Sequence, residues 1–315
     1  MRDANPVGSK TSRRYPLIAW LAVLPPLFWA GNFVLGRALR ADIPPLALSF
    51  WRWFLALLIL LALTHRGLRA HAPVLRRHWR ILWILALLGV TGYNTFAYVG
   101  LQHTTATNGV LLSSTTPVLI LLLAWALLGQ RFTLPQGVGM LLSLAGVVVI
   151  VAEGNLARLL ALTPNRGDLW ILLASVDWAL YSLYLRWRPA DIEPLVFLTA
   201  IVALGCIPLA LLYGVDLAYG HRFAVTAPNL AALGYVAVFP SVLAYVIWNR
   251  AVAELGAGRT GQYMHLMPLF GAGLSMLLLG ERPGWHHGLG LLLIAGGIRL
   301  AAGRERSGSR ARPVR

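Results

Sequence analysis

Apolar stretches long enough to cross a lipid hydrocarbon core, roughly 20 residues each, recur along almost the whole 315-residue chain and leave no room for a separate soluble domain. Candidate spans run 17-37, 46-64, 79-101, 104-128, 135-153, 167-186, 194-213, 229-250, 257-279 and 285-302. The expectation is an all-α membrane protein of ten transmembrane helices. Composition agrees: 58% of residues are hydrophobic and only 12% charged, against about 25% charged in a soluble globule.

A formal net charge of +16 would suit nucleic acid if it were gathered on one patch. Here the basic residues are scattered through short loops and two tails, so nucleic acid is not an expected partner, and the charge reads as topology. Residues 1-16 are a basic tail, and the apolar stretch after them lacks a small-residue cleavage site, which reads as a retained anchor. With this tail in the cytoplasm, Lys10, Arg13, Arg14, the cluster Arg66, Arg69, Arg76, Arg77 and Arg80, and the basic tail 303-315 fall on one side. The positive-inside rule then puts both termini in the cytoplasm of a multi-pass inner-membrane protein. The single Cys206 offers neither a disulfide nor a cysteine-based metal site.

The chain also repeats itself. Residues 106-147 lie on 257-298 at a constant offset of 151, matching Ala106 with Ala257, Pro117 with Pro268, Gly129 with Gly280 and Gly146 with Gly297. Leu-Leu-Gly-Gln-Arg at 127-131 faces Leu-Leu-Gly-Glu-Arg at 278-282, and Gly137 and Gly139 face Gly288 and Gly290. Earlier in each half, Trp29, Ala30 and Arg37 match Trp178, Ala179 and Arg186 at an offset of 149. Residues 17-153 and 167-302 are therefore read as two five-helix repeats. Five is odd, so the second enters the membrane inverted, an arrangement associated with alternating access.

Ser-Ser-Thr-Thr-Pro at 113-117, the helix-ending Leu-Leu-Gly-Gln-Arg and the following Gly-x-Gly, with their second-half copies, resemble the EamA-type transporters of the drug/metabolite superfamily. The resemblance covers essentially 17-302. It implies a ten-helix carrier, often an exporter of amino acids or related metabolites, with a central cavity lined mainly by spans 1, 3, 4, 6, 8 and 9. Gln130 departs from the family's Glu, which Glu281 keeps in the second half.

Asp177 is the one acidic residue placed deep in the bilayer, where an unpaired carboxylate costs about +2.5 to +3.5 kcal/mol on insertion scales. It should be protonated or face a cavity and bind a cation, so substrate-ammonium binding and proton coupling are its two candidate roles. Trp178 and Tyr181 stand beside it, with Asp177, Tyr181 and Tyr184 on one helical face. Asn32 of span 1, Tyr93 and Asn94 of span 3, Tyr245 of span 8, Asn108 of span 4, and Gln262 and Tyr263 of span 9 complete the expected substrate contacts. His265 is a second candidate for proton coupling. Pro117 and Pro268 are read as kinks and hinges in mid-span. The hydroxyls of 113-116 are expected to bond back to the preceding turn. Tyr98, Tyr184, Trp248 and Trp83 read as interfacial anchors, and Arg52 as a side chain that snorkels to the interface.

No nucleophile with a base, His-Glu-x-x-His cluster, carbonyl filter or Walker loop occurs, which argues against an intramembrane enzyme, a channel and an ATP-driven pump. The expected function is transport of a small organic solute, with export of amino acids, aromatic ones included, as the first reading. Organic cations, drugs or nucleobase-like metabolites are the alternative substrates, and an intramembrane enzyme is the alternative of a different class. No cofactor or metal is expected, and the lipid bilayer and the solute are the partners of a monomeric carrier.

Overall fold

In a computed structural model, the described residues are 14–152, 154, 155, 157, 165–279 and 284–302. The expected terminal tails lie almost wholly outside them, as do Gly280 and Glu281 of the second helix-ending motif. Every described element is helical. In chain order they are α1 (Arg14–Leu21), α2 (Leu24–Ala38), α3 (Pro45–Ala70), α4 (Ala72–Arg77), α5 (Trp79–Ala86), α6 (Tyr93–His103), α7 (Ala106–Ser113), α8 (Thr116–Leu128) and α9 (Leu134–Val151). Then follow α10 (Arg166–Tyr184), α11 (Pro194–Ala218), α12 (Ala227–Ala237), α13 (Ala244–Leu255), α14 (Ala257–Gly261), α15 (Met267–Leu279) and α16 (Trp285–Ala302). Among the described residues, seven continuous helical stretches are long and apolar enough to cross a membrane, and Leu134–Ile150 is a shorter apolar helix.

Local chemistry accounts for the ends. α3, α8, α9, α11 and α12 each carry proline in the first turn, where its missing N–H has no helical acceptor to serve. α8 stops at Gly129, whose φ of 61° places it in the left-handed region; its N–H returns to Trp125 O and that of Gln130 to Ala124 O. Thr133 and Gln136 then form a capping box that starts α9.

Two spans contain a widened turn. A π-helical segment at Leu87–Gly92 joins α5 to α6, and another at Val238–Leu243 joins α12 to α13. Their bounds differ by the offset of 151 that relates the two halves of the sequence. Pro240 has no N–H for Val236 O four residues back, and the Ser241 hydroxyl occupies that acceptor at 2.6 Å.

Two of the expected kinks take another form. Pro117 lies in the first turn of α8, after the helix has already broken at Ser114 and Thr115, and Pro268 follows a 3-10 segment at Gln262–Leu266. The breaks precede the prolines because a proline ring is compatible with a new helix start and not with the turn before it. Ser114 Oγ and Thr115 Oγ1 do bond back, to Val110 O at 2.8 Å and Leu112 O at 2.6 Å. The two breaks meet: His265 Nε2 lies 3.0 Å from Ser114 O, a contact between positions equivalent in the repeat.

α9 packs along α16 through glycines. A methyl group on Gly139 would lie 2.5 Å from Gly297 O, and one on Gly146 would lie 2.7 Å from Gly290 O. Each glycine of one contact is the repeat equivalent of a glycine in the other, so the interface is self-complementary, like a two-fold contact. Backbones approach this closely only where side chains are absent.

Candidate functional site

The core of the bundle is an aromatic cluster centred on Trp178 of α10. Its ring lies 5.0 Å from Trp29, 4.9 Å from Tyr93, 5.0 Å from Tyr181, 5.2 Å from Tyr245 and 5.5 Å from Trp248. These are ordinary distances for tilted and edge-on pairs. Trp29 and Trp178 are repeat equivalents, so the cluster sits where the two halves meet. Gly89 lets the Tyr181 ring lie against its backbone, and Gly89 O accepts a hydrogen bond from Tyr245 Oη.

Asp177 borders this cluster. It is 9% exposed, its Oδ2 has no hydrogen-bond partner, and it faces Gly92, where a methyl group would lie 2.7 Å from that oxygen. The adjacent Trp178 Nε1 is likewise without a partner. A buried carboxylate with one oxygen free is suited to a cation that brings its own N–H donors.

Arg52 corrects the expectation of snorkelling. Its residue exposure is 0%, and it points into the bundle. Nε donates to Ser241 Oγ at 2.6 Å, Nη1 to Asn32 Oδ1 at 3.1 Å and to Tyr98 Oη at 3.0 Å, and Nη2 to Pro240 O at 3.0 Å. Tyr98 donates in turn to Asn32 Oδ1 at 2.6 Å, and Trp29 Nε1 to Pro240 O at 3.0 Å. Four neutral acceptors drawn from three neighbouring segments out-compete the interface for the guanidinium. The sequence signal was present, an arginine seven residues into an apolar span, but its partners are distant in the chain.

Tyr98 and Trp248 are not interfacial anchors either; they are 2% and 0% exposed. Trp248 Nε1 donates to Ser182 Oγ at 3.3 Å, and the hydroxyl of Tyr181 donates to Asn249 Oδ1 at 2.8 Å. Ser182 and Asn249 also form the floor of a cavity of about 780 Å³ at the C-terminal ends of α8, α10 and α13. Gln130, Arg131, Arg186, Arg188 and Arg259 stand around it, and among the described residues no acidic one lines it. Partial burial lowers the pKa of Arg188 from its ordinary value, with the nearby Tyr181 acting the other way.

Of the substrate contacts expected from sequence, Asn32, Tyr93, Asn94, Asp177, Trp178, Tyr181 and Tyr245 are all buried in this central region. Tyr263 packs instead with Ile18, Ala22 and Ala251. Asn108 is half-buried near the start of α7, where its backbone N–H is capped by Thr105. Gln262 is buried in the 3-10 segment. His265 Nδ1 has no partner.

Models of known families match the chain twice. The EamA-like transporter family covers residues 16–152 and again 165–303. An uncharacterized transporter of Archaeoglobus fulgidus is 30% identical over 292 residues, 90% of this chain and 97% of its own. A probable terminal-alkyne amino-acid exporter of Streptantibioticus cattleyicolor is 28% identical, over 84% of this chain and 86% of its own. A solved crystal structure with 21% identity superposes with a TM-score of 0.66, over 90% of this chain and 95% of its own, which shows a shared fold.

Proposed function

This chain belongs to the EamA-like transporter family and is a membrane transporter; on that premise we propose that it exports amino acids, aromatic ones among them, by alternating access. The observation that carries this reading is the buried carboxylate of Asp177, with Oδ2 unpartnered beside Gly92, on the helix that also carries Trp178 of the aromatic cluster. The substrate's ammonium group pairs with Asp177, and its side chain lies on the rings of Tyr93, Trp178 and Tyr245. A relative whose name specifies amino-acid export supports the same substrate class.

The topology that goes with this function is two five-helix halves, 17-153 and 167-302, inserted in opposite senses, with ten spans and both termini in the cytoplasm of an inner membrane. The cavity floored by Ser182 and Asn249 then opens to the cytoplasm, and the Arg52 network closes the opposite path. Asn108, Gln262 and Tyr263 belong to a further stretch of the pathway, Pro117 and Pro268 flank its hinges, and His265 holds them together across the two halves.

The test is counterflow of labelled phenylalanine in liposomes containing the purified protein. Wild type should exchange it, and Asp177→Asn should reduce the exchange by about tenfold or more, the scale of a lost charge-assisted contact. Exchange by Asp177→Asn at the wild-type rate would remove the ammonium site, and no exchange of any amino acid by wild type would remove the substrate class.

A further inference from the structure

We infer that Arg186 is a gating residue: when the cavity floored by Ser182 and Asn249 closes, its guanidinium donates to Val252 O, the bond that its repeat counterpart Arg37 already makes to Leu101 O. The inference rests on the alternating-access reading above and names a residue that carries it.

The two halves present the same ladder of bonds, closed to different heights. In the first half Tyr98 donates to Asn32 Oδ1 at 2.6 Å, and about one turn further Arg37 Nη1 donates to Leu101 O at 2.8 Å. In the second half Tyr181 donates to Asn249 Oδ1 at 2.8 Å. The next rung there would join Arg186 to Val252. Arg186 follows Tyr181 by five residues as Arg37 follows Asn32, and Val252 follows Asn249 by three as Leu101 follows Tyr98. That rung is open. Arg186 and Val252 both line the cavity of about 780 Å³, whose floor includes Asn249 of the rung below. The Arg186 guanidinium has no hydrogen-bond or ion-pair partner among the described residues; it is exposed and lies 5.3 Å from the centre of the Trp187 ring.

Leu101 and Val252 lie in the last turns of α6 and α13, where carbonyl oxygens form the negative end of the helix dipole and attract an arginine. Val252 O accepts one bond from Gly256 N–H at 2.9 Å and keeps a second lone pair for a guanidinium. A side chain needed only to cap α13 would hold that carbonyl in the conformation described, as Arg37 holds Leu101 O. Closure also has an electrostatic requirement. Arg131 and Arg188 line the same cavity, with no acidic residue among the described ones, so drawing its walls together crowds like charges unless an acceptor such as Val252 O takes one of them up. Arg37 and Arg186 are therefore alternate latches, one made while the other is open.

Cysteine labelling of the purified full chain in detergent tests the exchange. Cys206→Ala removes the single cysteine, and a reporter is then introduced by Ala253→Cys, at a position lining the cavity, or by Gln102→Cys, at its repeat equivalent. The ratio of the maleimide labelling rate at position 253 to that at position 102 reads which end is open. Arg37→Ala should lower this ratio by about tenfold or more, the scale of one hydrogen bond to a charged group. Adding Arg186→Ala should return it toward the parent value, because neither latch can then form. Arg37→Lys, which keeps a charged donor, should lower it less, and this separates loss of the bond from damage to the fold. A ratio unchanged or raised by Arg37→Ala overturns the inference, as does a lowered ratio that Arg186→Ala fails to restore. In that last case the two rates still move in opposite directions, and alternating access stands without the latch. If both rates rise or fall together in Arg37→Ala, the ends are not coupled and the alternating-access reading fails as well.

Discussion

Tyr181 donates its hydroxyl hydrogen to Asn249 Oδ1 across the bundle, and the equivalent pair in the first half, Tyr98 and Asn32, carries the same bond with the residue types exchanged. Asn32 corresponds to Tyr181 at the 149 offset, and Tyr98 to Asn249 at 151. Duplication preserved the geometry of the bond and reversed its direction. Only the first-half pair also receives a charge, from Arg52.

That asymmetry predicts unequal costs. Removing a hydroxyl leaves a buried acceptor short of a partner, about 1–3 kcal/mol in general, and more where a charged group loses an acceptor. Tyr98→Phe should lower the thermal midpoint in detergent further than Tyr181→Phe. Equal shifts would mean that Arg52 gains nothing from Tyr98.

The aromatic cluster separates packing from recognition. Trp178→Ala would leave a large hole among five rings and should destabilise the fold by about 3–5 kcal/mol. Trp178→Phe and Tyr93→Phe fill most of the space and should retain the fold. Phenylalanine counterflow should nonetheless fall in Trp178→Phe, and wild-type flux there would place the ring outside the site.

The glycine contact between α9 and α16 has an internal control. A methyl group on Gly297 would lie 2.2 Å from Ser143 Oγ and 2.3 Å from Gly139 O, whereas one on Gly288 meets nothing within 4 Å. Gly297→Ala should cost about 1–3 kcal/mol by overpacking. Gly288→Ala should be neutral or mildly stabilising through the unfolded state. Thermal unfolding of the two variants decides the matter, and similar midpoints would contradict the close approach.

The inverted repeat is tested by reporters. Fusions at the N-terminus, in the connection between α3 and α5 and at the C-terminus should register cytoplasmic, and one after residue 160 should register outside. A cytoplasmic signal from the last would refute opposite insertion of the halves.

Much of this molecule could be read from residue order alone, because the physics involved is local. Apolar length specifies a spanning helix, Leu-Leu-Gly-Gln-Arg with Gly129 specifies a helix end, and a repeat at constant offset specifies equivalent elements. Asp177 was legible for the same reason, as a lone carboxylate in an apolar run. What remained hidden depends on groups brought together from far along the chain. By sequence Arg52 reads as a snorkelling side chain, whereas the fold surrounds it with Asn32, Tyr98, Pro240 and Ser241. Tyr98 and Trp248 looked interfacial because position along a span gives depth but not the direction faced. The breaks before Pro117 and Pro268, and the contact between Ser114 and His265, arise from packing of two halves against each other. A charge finds its acceptors in three dimensions, and the order of residues along the chain does not say which of them will be near.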